Sequence, residues 1–472
     1  MHGRTSEGSE IETALHAEGL PRPRRYFAIA ALSIGMVVAS IDNGGVTIAL
    51  PTIARDFAVA PSAVVLIVTV YQLLLIMAVL PLSALGDRIG HRTLYQGGQL
   101  LFLAATPFCF FAHSLPALIL IRVCQALGAA ATFSVASAMI RSIFPRAQLG
   151  SGMAVNTVIA TVASAVAPTL GGLILSHARW PWVIAASAPF CVISLLIGRK
   201  ALPDPRGHDE PYDVLAAVMC AGMFGLTVAG MQGLVQGAPI SVSSLLIAAG
   251  AAVGTIFVRR ELSQERPVLP VDLLRTRRFA LSALAALSAS IGMILVTLTL
   301  PFRLQHQFGY SPAETGIVMA AWPVAMMFLA PTSGLLSDRL PAGLLPSIGM
   351  FIATLGMISL GFLPAEPKHL DIVWRLLVAA SGFGLFLSPN ARQIILAAPL
   401  LRAAAAGGLT HTTRLSGQVL GSTGAAALLA LGVGIGRIPP LAAAGLTAIA
   451  ALCSMVLLKG EHSASEPAEV PA

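Results

Sequence analysis

The sequence predicts an all-α integral membrane protein: two six-helix bundles with two further helices between them, fourteen transmembrane helices in all. Three observations carry that prediction. Only 11% of the 472 residues are charged and 56% are hydrophobic, giving a mean hydropathy of +0.82, whereas soluble domains carry about 25% charged residues. Apolar stretches of about 20 residues recur along the whole chain, and that length crosses a hydrocarbon core of about 30 Å. Landmarks of the first half return about 250 residues later, as in a duplicated architecture.

In chain order, residues 1–26 form a polar tail that ends in Arg22, Arg24 and Arg25. The apolar run that follows is too long for a signal-peptide core and lacks a persuasive cleavage site, so it is expected to persist as the first span. The first bundle, 27–198, is expected to hold spans at 27–50, 62–85, 94–112, 116–140, 150–176 and 181–198. Two inserted spans, 212–233 and 239–258, lie with their cytoplasmic linkers in 199–278. The second bundle, 279–459, is expected to hold 279–301, 313–336, 343–363, 371–389, 403–432 and 439–458, followed by a tail at 460–472. Of the 29 Lys and Arg, 21 then fall on the side of both termini, 5 on the other side and 3 within spans. The positive-inside rule places both termini in the cytoplasm and the chain in the cytoplasmic (inner) membrane. The net charge of +8 is a topology signal, and no nucleic-acid partner is expected. Cys109, Cys124, Cys191, Cys220 and Cys453 all lie within spans, without the spacing of a metal site or a disulfide framework.

The duplication has specific landmarks. ALPTIARDFAVAPSA (49–63) echoes TLPFRLQHQFGYSPA (299–313), and SALGDRI (83–89) echoes GLLSDRL (334–340), which sets Asp338 and Arg339 opposite Asp87 and Arg88. Arg122 of the fourth span matches Arg375 of the twelfth. Duplicated halves about a midplane site describe a secondary transporter. No GxxxxGK[ST] loop supports ATP-driven pumping, and no HExxH, GxSxG or cluster of catalytic acids supports an enzyme.

The residue that violates the pattern most is Asp42, within SIGMVVASIDNGGVTIALP (33–51). A carboxylate near the bilayer centre costs about 2.5–3.5 kcal/mol, so it is expected to face a cavity. There it can hold a proton or a cationic substrate but not both, and that exclusivity is the essence of antiport. The alternative is a structural acid bonded to Asn43, to Arg122 or to neighbouring backbone. Gly44 and Gly45 are expected to let the first span bend. Asn43, Tyr71, Gln125, Arg414 and His411 are candidates for the substrate cavity, with Arg122 as partner to Asp42 in proton coupling; His411 is equally readable as an interface residue of the thirteenth span. A single buried acid implies one proton per cycle, which favours neutral or singly charged lipophilic cargo over dications. Were Arg122 and Arg414 both to face the cavity, its field would favour anionic or neutral cargo.

Several stretches share signatures with a known family. SALGDRIGHR (83–92) resembles GxLxDRxGRR, and IRVCQALGAAA (121–131) resembles RxxQGxG. VASAVAPTLGGLI (162–174) resembles the antiporter signature GxxxGPxxGG, and SIDNGGVTIALPTI resembles LDxTxVNVALPxI. RLSGQVLG (414–421) resembles RQLGGALG. Together they resemble the major facilitator superfamily, and within it the fourteen-span drug:proton antiporters of the EmrB/QacA type. Departures include Ser83 for a glycine, His91 for a basic residue, and Ala126, Ala163 and Ala167 for glycines. The resemblance implies the major facilitator fold and multidrug export of small lipophilic compounds by alternating access, with a dedicated exporter of one metabolite or antibiotic as the alternative and a membrane-embedded sensor or enzyme as a remote one. It implies no cofactor, the proton gradient as energy source, a small-molecule substrate, a proton and lipid as partners, and a monomer. Gating residues would be Ser83, Gly86, Asp87, Arg88, Gly90 and Arg92 of the first motif and their repeat mates Asp338 and Arg339. Pro168, Gly171 and Gly172 would serve the same purpose in the fifth span.

Overall fold

Helices account for nearly all of the described chain, which comprises residues 19–145, 148–203, 213–263, 271–337, 339–341, 343–396 and 403–465 of the computed structural model. The first half contains α1 (Arg22–Asp56), α2 (Leu66–Ile89, entered through the turn Pro61–Val64), α3 (His91–Ala105, prolonged by the 3-10 helix Thr106–Phe111), α4 (Leu115–Ile143), α5 (Leu149–His177) and α6 (Ala188–Ala201, preceded by Pro181–Ala185). Two helices follow, α7 (Val214–Val235) and α8 (Ile240–Leu262). The second half contains α9 (Arg277–Phe302), α10 (Ala321–Ser337, continuing from Pro312–Met319), α11 (Leu344–Gly361), α12 (His369–Leu396), α13 (Ala403–Ala430) and α14 (Ile438–Ser465).

The local sequence explains these boundaries. Pro61, Pro116, Pro181 and Pro312 occupy the first two positions of their helices, where a missing N–H costs nothing. Ser114, Asp213 and Ser311 cap helices with side-chain oxygens, and Ser311 forms a full capping box with Glu314. Gly90 breaks α2 from α3 with φ at 96°, a conformation that suits only glycine among the common residues.

Twelve helices among the described residues are long and apolar enough to cross a membrane, not the fourteen expected. The two that fall short have physical reasons. The helix at 94–112 is only 15 residues long before Pro107 helps turn it into a 3-10 segment. α13 is 28 residues long, but its middle, THTTRLSGQ (410–418), is polar.

In the first half α1 packs against α5 and α6, and α4 against α2 and α3. In the second, α9 packs against α13 and α14, α11 against α12 and α14, and α10 against α12. The halves meet along two seams: α5 against Pro312–Met319 and α10, and α2 against α13. α7 and α8 pack on each other, and α7 also lies against α2 and α13. The tightest contact between halves lies towards the end opposite the termini. A Cβ added at Gly172 would stand 2.4 Å from the Pro312 carbonyl oxygen, and one at Gly316 would stand 2.3 Å from that of Pro168. Small residues here let two backbones touch.

Candidate functional site

α1 carries Asp42 into the core of the first half, where α4 presents Arg122. The two form a bidentate pair: Nη1 donates to Oδ1 at 2.7 Å and Nη2 to Oδ2 at 2.8 Å. Planar fork-to-fork geometry of this kind is the strongest that a guanidinium offers a carboxylate. Arg122 Nη1 also donates to Gln125 Oε1 at 2.9 Å, Gln125 Nε2 donates to Thr106 Oγ1 at 3.0 Å, and Thr106 donates to the Phe102 carbonyl at 2.8 Å. The Tyr71 ring lies beneath the guanidinium, 4.5 Å from Arg122 Cζ to the ring centroid, a cation–π contact. Asp42 and Gln125 are wholly buried, and Arg122 and Tyr71 are 1% exposed.

Several expectations are corrected here. Asp42 does not face a cavity in this conformation; it is sealed by Arg122. Tyr71 and Gln125, expected as cavity walls, belong instead to the cluster around the ion pair. Gly44 and Gly45 are packing residues, since a Cβ at Gly44 would come within 2.6 Å of Ala167 Cβ, and Gly171 packs directly on Gly45. α1 continues through them without a break. Arg375, the repeat mate of Arg122, has no comparable role: it bonds Asp371 one turn earlier in α12 and stacks on Trp374.

A two-lobed cavity lies beside the pair, lined on α1 by Ser40, Asn43 and Gly44 but not by Asp42. One lobe, about 380 Å³, is bounded by Asn43, Ser40, Phe133, His411 and Gln418. The other, about 300 Å³, extends into the second half and is walled by Met293, Met319, Trp322, Met326 and Phe383. Gly44, Ser164 and Arg414 line both, so the lobes adjoin. Asn43, His411 and Arg414 line the cavity. Pro168 lines the apolar lobe. The methionines and Trp322 were not singled out in the sequence, where they look like any apolar helix face. Among the described residues, none lining either lobe is acidic.

In the α2–α3 turn, Asp87 pairs with His91 one turn further on at 2.8 Å. Arg92 reaches the Arg199 carbonyl at the end of α6, within its own half. Arg88 is exposed and makes no bond to the other half, and Ser83 is half-buried. Gly86 packs against Val135 of α4. Asp338 lies outside the described residues, and Arg339 is exposed.

The ion pair has a measurable signature. Arg122→Ala strands a buried carboxylate and is expected to cost about 3–5 kcal/mol of stability. The double variant Asp42→Asn/Arg122→Gln, which strands no charge, is expected to recover more than half of that loss in thermal unfolding of the detergent-solubilised protein.

With this geometry in view, the comparisons with known proteins are informative. The profile of the Major Facilitator Superfamily matches residues 32–422. The chain is 39% identical to the uncharacterized transporter YebQ of Escherichia coli K12 over 93% of this chain and 96% of that one. It is 26% identical to the riboflavin transporter RibZ of Clostridioides difficile over 84% and 87% of the two chains, and 28% identical to the methyl viologen resistance protein SmvA of Salmonella typhimurium over 84% and 81%. Among solved structures, a bacterial homologue of the human lysosomal transporter Spinster, described as inward-facing and unoccupied, superposes with a TM-score of 0.67 over 95% of this chain and 100% of that one, at 18% identity.

Proposed function

The chain belongs to the Major Facilitator Superfamily and is a multi-pass membrane transporter rather than an enzyme, and from that premise we propose that it exports small lipophilic compounds across the cytoplasmic membrane in exchange for protons, as a multidrug efflux carrier of the fourteen-span EmrB/QacA type. The observation that carries the reading is the Asp42–Arg122 pair, closed off from solvent on α1 between two residues, Ser40 and Asn43, that line the cavity. An arginine and a proton compete for the same carboxylate oxygens. In this conformation Arg122 holds them. In the alternate conformation the pair parts and Asp42 takes a proton, which is delivered when Arg122 returns.

The competitor of the proton is therefore the protein's own guanidinium and not a cationic cargo. The cavity lies between the halves, and their contacts close it towards the end opposite the termini. With the termini cytoplasmic, this is the state open inward. Fourteen crossings are supported by connectivity: in this reading α3 travels between the far end of α2 and the start of α4, and His91–Phe111 is helical throughout. α13 makes the same journey between α12 and α14. The functional units are then 27–198, 199–278 and 279–459, acting as a monomer. Export rather than uptake is supported by the fifth-span signature and by likeness to a chain named for methyl viologen resistance. Methyl viologen itself is a dication, and with no acid lining the cavity we do not extend that cargo to this chain. A second reading, a carrier dedicated to one compound, is favoured by the likeness to a chain named as a riboflavin transporter.

Everted vesicles test the proposal. Lipophilic compounds added to vesicles with an imposed pH gradient are expected to trigger proton release from the acidic interior, several unrelated compounds if the carrier is broad and one if it is dedicated. An unchanged gradient with every compound that the protein moves would rule out antiport. A C-terminal tag labelled from outside intact cells would overturn the orientation.

A further inference from the structure

The cavity contains a charge that the exchange cycle does not use. Arg414 lines both lobes, and among the described residues it has no ion pair and no hydrogen bond. His411 and Gln418 stand one turn to either side of it on α13 and line the same lobe, again without hydrogen-bond partners. Positions 411, 414 and 418 form one stripe of a helix. Facing it are Asn43 of α1 and Ser164 of α5. Among the described residues the one full charge on the cavity wall is therefore positive, and it stands where the polar lobe meets one walled by Met293, Met319, Trp322 and Phe383.

Arg122 receives its counter-charge from Asp42, whereas Arg414, exposed into the cavity, pairs with no acid among the described residues. A guanidinium standing at an apolar wall favours a ligand that supplies the missing negative charge. We infer that Arg414 is the recognition site for an anionic cargo group, a carboxylate or sulfonate, on a compound whose aromatic or aliphatic body fills the methionine-rich lobe. His411, Gln418 and Asn43 supply further hydrogen bonds around the same head, and a guanidinium binds both oxygens of such a head in one plane. The methionines accept bodies of varied shape. This assignment rests on the export reading for its direction, but the binding site stands on the cavity alone. It also changes the energetics: an anion leaving while a proton enters moves two charges the same way, and the membrane potential contributes about fifty-fold per 100 mV for each.

The test uses three compounds that share one body and differ in charge: naphthalene-2-sulfonate, naphthalene-2-sulfonamide and a naphthyl-2-trimethylammonium salt. Equilibrium dialysis against the purified full-length protein is expected to give at least tenfold tighter binding of the sulfonate than of the sulfonamide, with the cation weakest. Arg414→Gln should weaken the sulfonate at least tenfold and change the sulfonamide by less than about twofold, while Arg414→Lys retains part of the preference. Gln418→Glu keeps Arg414 but gives it an internal partner one turn away, and should abolish the preference too. Equal or tighter binding of the neutral or cationic compound by the wild type overturns the assignment. So does an anion preference that survives either Arg414→Gln or Gln418→Glu. Dialysis needs no gradient, so the two proposals fail separately: sulfonate binding without any cargo-triggered proton release would sink antiport and leave this site, whereas proton release by neutral and cationic compounds with no sulfonate binding would do the reverse.

Discussion

Asp42→Asn is expected to collapse an uphill cargo gradient of several hundred-fold to near unity. For a neutral compound, one entering proton supplies about 2.3 kcal/mol per 100 mV and about 1.4 kcal/mol per pH unit, which together support that concentration ratio. An amide in place of the carboxylate can still accept a hydrogen bond from Arg122 but cannot carry a proton, so the halves are expected to rock without coupling. Reconstituted vesicles with an imposed pH gradient and potential should therefore show equilibration of cargo in place of accumulation, with exchange of labelled for unlabelled cargo retained. Asp42→Asn strands Arg122, so Asp42→Asn/Arg122→Gln serves as the companion variant and should show the same loss of accumulation with better stability. A several-hundred-fold gradient maintained by both variants would mean that the proton travels on another group.

The second large effect is expected where the halves touch. Gly172→Val and Gly316→Leu put side-chain atoms where the carbonyls of Pro312 and Pro168 stand, and neither neighbour is a flexible side chain that could move aside. Overpacking of this kind costs about 1–3 kcal/mol per site, which shifts the balance of conformations by roughly fivefold to more than a hundredfold. The cost falls only on the state in which this end is shut, so transport should drop by at least about fivefold while the protein remains folded. In a background without the native cysteines, a cysteine at Thr47, which lines the apolar lobe, should become reactive to an impermeant reagent from the outer side. Gly97→Val is the control, because a Cβ there meets nothing within 4 Å. Wild-type rates and unchanged labelling in both interface variants would show that this contact does not gate.

The sequence made some of this visible and hid the rest for identifiable reasons. Asp42, Arg122 and Arg414 stand out because a charge in an apolar run is costly, whatever the fold. The partnership of Asp42 with Arg122 was one of several alternatives, since 80 residues separate them and only packing of α1 on α4 brings them together. Glycine admits two readings, hinge or close contact, and Gly44 and Gly45 were settled only by the presence of Ala167 and Gly171 opposite them. The repeat placed Arg375 correctly but not its surroundings, because Asp371 captures it and the repeat position of Asp42 is near Gly292. Hydropathy marked α3 and α13 as spans, yet the helix at 94–112 is cut short near Pro107 and α13 carries the polar stripe that lines the cavity. The cavity walls themselves were illegible, because Met293, Met319 and Trp322 look in sequence like residues that face lipid.

The helix pair α7–α8 makes the two flanks of the molecule unequal. α7 lies against α2 of one half and α13 of the other, and Gln232 Nε2 donates to Thr423 Oγ1 at 3.2 Å across that boundary. On this flank a solute dissolved in the acyl chains meets an additional layer of helix, while on the opposite flank it meets only the seam of α5 against Pro312–Met319 and α10. A passage between bilayer and cavity on the α7 side would have to part that extra layer as well as the two halves.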